Sequence, residues 1–231
     1  MNARLGRFAV GLVLGLPASL MLFSLASGCA SNQDPEEPVP VPQGVTIPFV
    51  PQVSNAKINL AKGAYPDLFS ETSYAQWGVA PETEGGGMVE VMCCLESAFA
   101  DAGIAYDLVG LRGVSVYLYS GDGRHIAPAR TLMGQELEEE SRGALKVFRR
   151  INRLYFPTDQ LGVVIPEPGA PAPAYRLVVE GFDSVFYFEW AAQMPQAIEA
   201  TPFYKGDTAQ AVKQQWNKAR KKVGEWSHNF D

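Results

Sequence analysis

The sequence predicts a mainly β protein, an antiparallel β-sandwich with an inserted α-helix and a C-terminal α-helix. Three observations lead there. Two stretches alternate apolar and polar residues and meet at turn residues, as hairpins do. One segment between them, and another near the end of the chain, repeat apolar residues at helical spacing. The expected sandwich spans residues 53–205, followed by a basic amphipathic helix in 206–231.

In chain order, Val53–Gly87 is loop-like, punctuated by Gly63, Pro66, Gly78, Pro81 and the run Gly85-Gly86-Gly87. That run lacks the Lys-Ser/Thr of a phosphate loop and the spacing of a dinucleotide fingerprint. Met88–Leu95 is apolar at nearly every position, and Val89–Leu95 is read as a buried strand. Met88, Met92, Leu95, Phe99 and Ala102 also satisfy helical spacing, so a helix is its rival. Next, Val114, Val116 and Leu118 alternate with Ser115, Tyr117 and Tyr119, and Gly121-Asp122-Gly123 turns the chain. Alternation ending in Asp-Gly signals a hairpin. From Gln135 to Phe156, Ala144, Val147, Phe148, Ile151, Leu154 and Tyr155 form one stripe, with Lys146, Arg149, Arg150 and Arg153 opposite. This predicts the inserted helix, with Glu136–Glu140 suiting its N-terminal turn and Pro157 ending it. Pro166–Ala174 is a loop. Tyr175, Leu177 and Val179, then Phe186, Phe188 and Trp190, form the second hairpin around Gly181-Phe182-Asp183-Ser184. Finally Val212, Trp216, Ala219, Val223 and Trp226 repeat at four-three spacing among basic residues, predicting the last helix.

The N-terminus has a different character. Arg4 and Arg7 precede an apolar stretch from Phe8 to Leu25, then Ala26, Ser27, Gly28 and Cys29. A basic start, an apolar middle and a small-residue exit make residues 1–28 a signal peptide. Leu25-Ala26-Ser27-Gly28-Cys29 resembles the lipobox of bacterial lipoproteins, with Ala26 where that family most often has Leu. The resemblance covers the first thirty-odd residues and implies lipidation at Cys29, cleavage before it, and membrane attachment through the lipid. In a source that has an outer membrane, Ala30 rather than Asp directly after the cysteine implies the outer membrane facing the periplasm over the inner membrane. Residues 29–52 then form a linker carrying Pro35, Pro38, Pro40, Pro42, Pro48 and Pro51. Extended at ~3.1 Å per residue, some twenty residues would reach about 60 Å from the lipid.

Composition narrows the function. The chain has 19 basic and 25 acidic residues. Without Arg4 and Arg7 the balance is 17 to 25, a formal charge of −8, which argues against nucleic acid. Lys205–Asp231 runs the other way, with six basic residues to three acidic. Besides Cys29 the only cysteines are the adjacent Cys93 and Cys94, expected as two packed thiols. His125 is read as a solvated turn residue and His228 lies near the end; neither has a zinc-ligand spacing, and no nucleophile elbow is present. The acids Glu136, Glu138, Glu139 and Glu140 are read as a solvated face, and Asp122 as turn chemistry. Tyr117 and Tyr119 share one strand face opposite an apolar one, and are the candidate ligand-facing aromatics. The expectation is therefore a non-enzymatic binding or assembly module of the cell envelope, with no cofactor and no metal. Its partners are the membrane through Cys29 and another envelope protein or polysaccharide. The alternative is a carbohydrate-binding module for envelope polysaccharide; a hydrolase with dispersed acids is a weaker third.

Overall fold

The computed structural model describes residues 44, 46–78, 87–165, 173–194 and 207–220. The expected signal peptide, Cys29, most of the expected proline-rich linker, most of the Pro166–Ala174 loop and the segment after Arg220 lie outside them. The described elements are mostly antiparallel β, with two α-helices, as expected.

The strands are β1 (Thr46–Pro48), β2 (Asn55–Gly63), β3 (Tyr74–Trp77), β4 (Met88–Ser97), β5 (Ser115–Ser120), β6 (His125–Ile126), β7 (Arg130–Arg142), β8 (Leu145–Pro157), β9 (Gly162–Val164), β10 (Ala174–Gly181) and β11 (Ser184–Ala191). The helices are α1 (Ala102–Val109) and α2 (Asp207–Arg220). One nine-stranded sheet runs β6-β5-β10-β11-β2-β3-β4-β8-β7, and β1 pairs with β9 in a second sheet.

The large sheet curls at β2. Its first residues, Asn55–Lys57, pair with β3, whereas Ile58–Gly63 pair with β11 through a bulge. A strand that changes partners through a bulge is how a sheet turns a corner. Three strand spacings, roughly 14 Å in a flat sheet, separate β3 from β10. Yet the rings of Trp77 and Tyr175 lie with centroids 6.0 Å apart. Phe49, just past β1, packs against both rings. The concave side thus holds one apolar core, with Val91, Cys93, Leu95, Leu154 and Phe156 from one half and Leu118, Leu177, Phe188 and Trp190 from the other.

Met88–Leu95 is a strand, and both hairpins form. The second has Phe182 and Asp183 both at φ +53°, the backbone of a type I′ turn.

Three expectations are corrected: Val53–Gly87, read as loop-like, holds β2 and β3; the end of the 29–52 linker holds β1, with Ile47 and Phe49 in the core; and the inserted helix is not where the apolar stripe put it. Gln135–Phe156 is the β7–β8 hairpin, paired from Arg130↔Tyr155 to Arg142↔Leu145. Gly143 takes φ +66° at the first central position of the two-residue loop Gly143-Ala144, the pattern of a type II′ turn. On β8 the inward residues are Phe148, Arg150, Asn152, Leu154 and Phe156. Two polar side chains within that buried row broke the period-two signal and left a stripe that imitated a helix. The true inserted helix is α1, where Asp101 caps the N-terminus by accepting bonds from Gly103 N and Ile104 N at 2.9 and 3.1 Å. Asn152 Nδ2 donates to Val109 O at its other end, at 2.8 Å. The C-terminal helix places Val212 and Trp216 in the core.

Candidate functional site

Alternation on β5 turns Val116 and Leu118 toward the core and Tyr117 and Tyr119 to the convex face. The short return strand β6 lays His125 against both. Tyr117 stacks on it at 4.8 Å with 18° between the planes, and Tyr119 meets it edge-on at 4.8 Å and 83°. Tyr117 Oη donates to Glu180 Oε2 on β10 at 3.2 Å. Burial first, then the negative charge and hydrogen bond of Glu180, push the Tyr117 phenol up to about 12.

The same face continues along β10 and β11. Tyr119 sits opposite Arg176, and Tyr117 opposite Val178. Arg176 is buried, its Nε donating to Glu189 Oε2 at 2.6 Å and its guanidinium lying 4.2 Å from the Tyr187 ring centroid. Val178 is fully buried. The two tyrosines are therefore half-buried members of a packed polar-aromatic layer, with His125 closing one side of Tyr117. The sequence reading found the tyrosines and missed His125, Arg176, Glu180, Tyr187 and Glu189 as their neighbours. The available signal was the period-two placement of Arg176, Val178 and Glu180 between the apolar residues of β10.

A second surface is the convex face of β4, β8 and β7. Glu90 accepts Arg153 Nη1 at 2.9 Å and Tyr155 Oη at 2.8 Å. The hydrogen bond to Glu90, then burial, raises the Tyr155 phenol. Arg130 lies over the Tyr155 ring at 5.8 Å. Further along, Arg142 reaches the buried Glu96 at 3.3 Å and Arg149 reaches Glu138 at 3.6 Å, while on the other face of the hairpin Lys146 pairs with Glu139 at 2.7 Å. Among these pairs Leu132, Leu145 and Ile151 are exposed, whereas the exposed Met133, opposite the inward Asn152, belongs to the other face. The acids read as one helical face are strand residues: Glu138 and Glu140 are set against Arg149 and Val147, while Glu139, between them, belongs to the opposite face. Strand alternation splits them, and misreading the period hid the whole surface.

Two remaining clusters are structural. Arg124 Nε grips both carboxylate oxygens of Asp122, and its Nη groups donate to Gln160 O, Gly162 O and Tyr175 Oη. Asp122 also accepts from Ser120. Burial pushes the Asp122 carboxyl up, but the bonds from Arg124 and Ser120 outweigh it and hold it below its ordinary value. The Gly-Asp-Gly turn thereby fastens β9 to the main sheet. Cys93 and Cys94 are both buried and free. Cys93 points into the core, where burial and then the neighbouring Cys94 raise its thiol pKa. Cys94 points the other way and accepts from Arg149 Nε at 3.2 Å.

Among the described residues no group of three or more His, Cys, Asp or Glu is placed to hold a metal ion. No helix among them is long and apolar enough to cross a membrane. No protein-family model, no curated protein and no solved structure matches this chain.

Proposed function

We propose that the protein is a lipid-anchored module of the cell envelope that binds or assembles with another envelope component and carries out no chemistry of its own. The anchor rests on the sequence from Arg4 to Cys29. The observation that carries the binding role is a set of exposed apolar side chains on one face of a hairpin: Leu132, Leu145 and Ile151 share the outward face of β7 and β8. They stand among Arg–Glu pairs, and an apolar centre within a charged rim is the composition of a protein interface. Single exposed apolar residues need no explanation, but several on one hairpin face do.

Size in mild detergent tests this. The lipidated protein taken from its own membranes is expected to elute as a complex, and the double variant Leu132→Asp, Ile151→Asp as a monomer with an unchanged unfolding midpoint. A wild-type protein that elutes as a monomer would remove the assembly role.

The second reading is binding of envelope polysaccharide through Tyr117 and Tyr119. It is favoured by the Glu180 carboxylate beside the Tyr117 ring, since sugar sites combine a ring face with a hydrogen-bond acceptor. Calorimetric titration with soluble polysaccharide fragments, compared with Tyr119→Ala, distinguishes it. Heat that survives Tyr119→Ala unchanged would count against that site.

A further inference from the structure

We propose that the free edge of β7 between Leu137 and Arg142 receives an extended basic segment of another envelope protein as an added strand. This inference rests on the assembly role above and names the kind of partner.

Among the described residues no strand pairs with the outer edge of β7, and that edge is long. The sheet ends in β6 on one side, only two residues long, and in β7 on the other, thirteen residues long. Every residue of β7 is exposed except Gly134 and Leu137. An edge strand carries a row of backbone N–H and C=O groups directed away from its neighbour, a ready template for another strand. The hairpin also projects. The ladder between β4 and β8 stops at Ser97↔Phe148, so Leu145–Val147 continue beyond it with β7 as their partner.

Proteins commonly guard such edges with bulges and charges, and β7 has both. The register shift falls between Met133 and Leu137, where Gly134 passes too close to Ile151 O for any side chain. That break guards the first part of the strand. From Leu137 to Arg142 the register is regular for six residues, and this stretch stays available.

The charges select the occupant. Glu138, Glu139 and Glu140 outnumber Arg142 in this segment, and Glu136 stands just before it. Their partners are exposed pairs, which are weak and readily exchanged. A second copy pairing antiparallel about Glu139 would set Glu138 against Glu140 twice, and like charges directly opposite are destabilising. The acids thus count against that register of the protein's own edge; a second copy centred on Ser141 would set Glu140 against Arg142 instead, and a strand with Lys or Arg at alternate positions answers both Glu138 and Glu140. The described part of the chain's own basic segment, Lys213, Lys218 and Arg220, is held in α2.

The test uses the full chain in mild detergent with a synthetic probe, acetylated Lys-Thr-Lys-Val-Lys-Thr amide. Amide hydrogen exchange is read along β7 by mass spectrometry. The expected result is that exchange in Leu137–Arg142 slows by about tenfold, while His125 and Ile126 on β6 are unaffected. A Lys-Pro-Lys-Pro-Lys-Pro probe keeps the charge but cannot complete a ladder, and it should protect nothing. The variant Glu138→Lys, Glu140→Lys should lose the basic probe and accept Glu-Thr-Glu-Val-Glu-Thr instead. Absence of protection, or equal protection by the proline probe, overturns the proposal. If the native complex persists in detergent while the probe fails, the edge is wrong and the assembly role stands. A monomeric wild type removes the assembly role whatever the probe does.

Discussion

Cys93 and Cys94 are adjacent in sequence but sit on opposite faces of β4, because side chains alternate along a strand. Both are buried, so neither thiol should react quickly with a soluble reagent in the folded protein. Thiol counting should find both only after denaturation; no free thiol in the denatured, unreduced protein would instead mean a disulfide. Tyr117 gives a pH prediction. Burial and Glu180 hold its phenol near 12 in the folded protein, above the ordinary 10.0, so the neutral phenol is favoured by folding. That contribution is complete below the unfolded pKa and is lost as pH rises through the folded one, between about 10 and 12. Tyr117→Phe should therefore flatten the loss of stability in that window relative to wild type, as read by chemical denaturation at each pH. The tyrosine pair itself was legible, because Val116 and Leu118 define the other face so clearly. Its partners were less so, since a buried arginine such as Arg176 looks from sequence like any outward polar residue.

At the scale of elements, legibility followed how purely each strand separates its faces. On β10 and β11 the inward row Tyr175, Leu177, Val179, Phe186, Phe188 and Trp190 is apolar throughout, and the hairpin was plain. On β8 the inward row contains Arg150 and Asn152, both buried. They serve the C-terminal end of α1: Asn152 bonds Val109 O, and Arg150 lies over the Tyr106 ring at 5.4 Å. A cation beside the negative end of a helix is favourable. These tertiary needs cannot be seen in a local window, which is why the stripe read as helix. Gly143 discriminates the two structures by sign. In an exposed helix, Gly→Ala would stabilise by up to ~1 kcal/mol. At φ +66°, Gly143→Ala should instead destabilise by about 1–2 kcal/mol, measured by urea denaturation.

For the molecule as a whole, the proposed N-terminal address precedes the β body in the chain and the C-terminal helix follows it. Cys29→Ala should leave the protein unlipidated and absent from the lipid-anchored membrane fraction; mature wild-type protein whose intact mass carries no acyl chains would refute the anchor. At the other end, a short isolated helix is marginal in water, so α2 must be held by what its apolar stripe touches. Val212 is fully buried and Trp216 is 1% exposed, both within the same core cluster as the curled sheet. Trp216 Nε1 is buried and finds no acceptor, so the docking is apolar burial rather than hydrogen bonding. This sets the pattern of responses in a soluble form beginning at Ala30. Trp216→Ala should cost about 3–5 kcal/mol, as truncating a buried tryptophan does. Trp216→Phe should cost much less, because it keeps most of the apolar area and removes a polar group with nothing to bond. Lys218→Ala, on the exposed side, should change stability by less than ~0.5 kcal/mol. Thermal or chemical unfolding of the three variants checks the order. If Trp216→Ala leaves the midpoint unmoved, α2 is not part of the folded core, and its tryptophan is free to serve a partner.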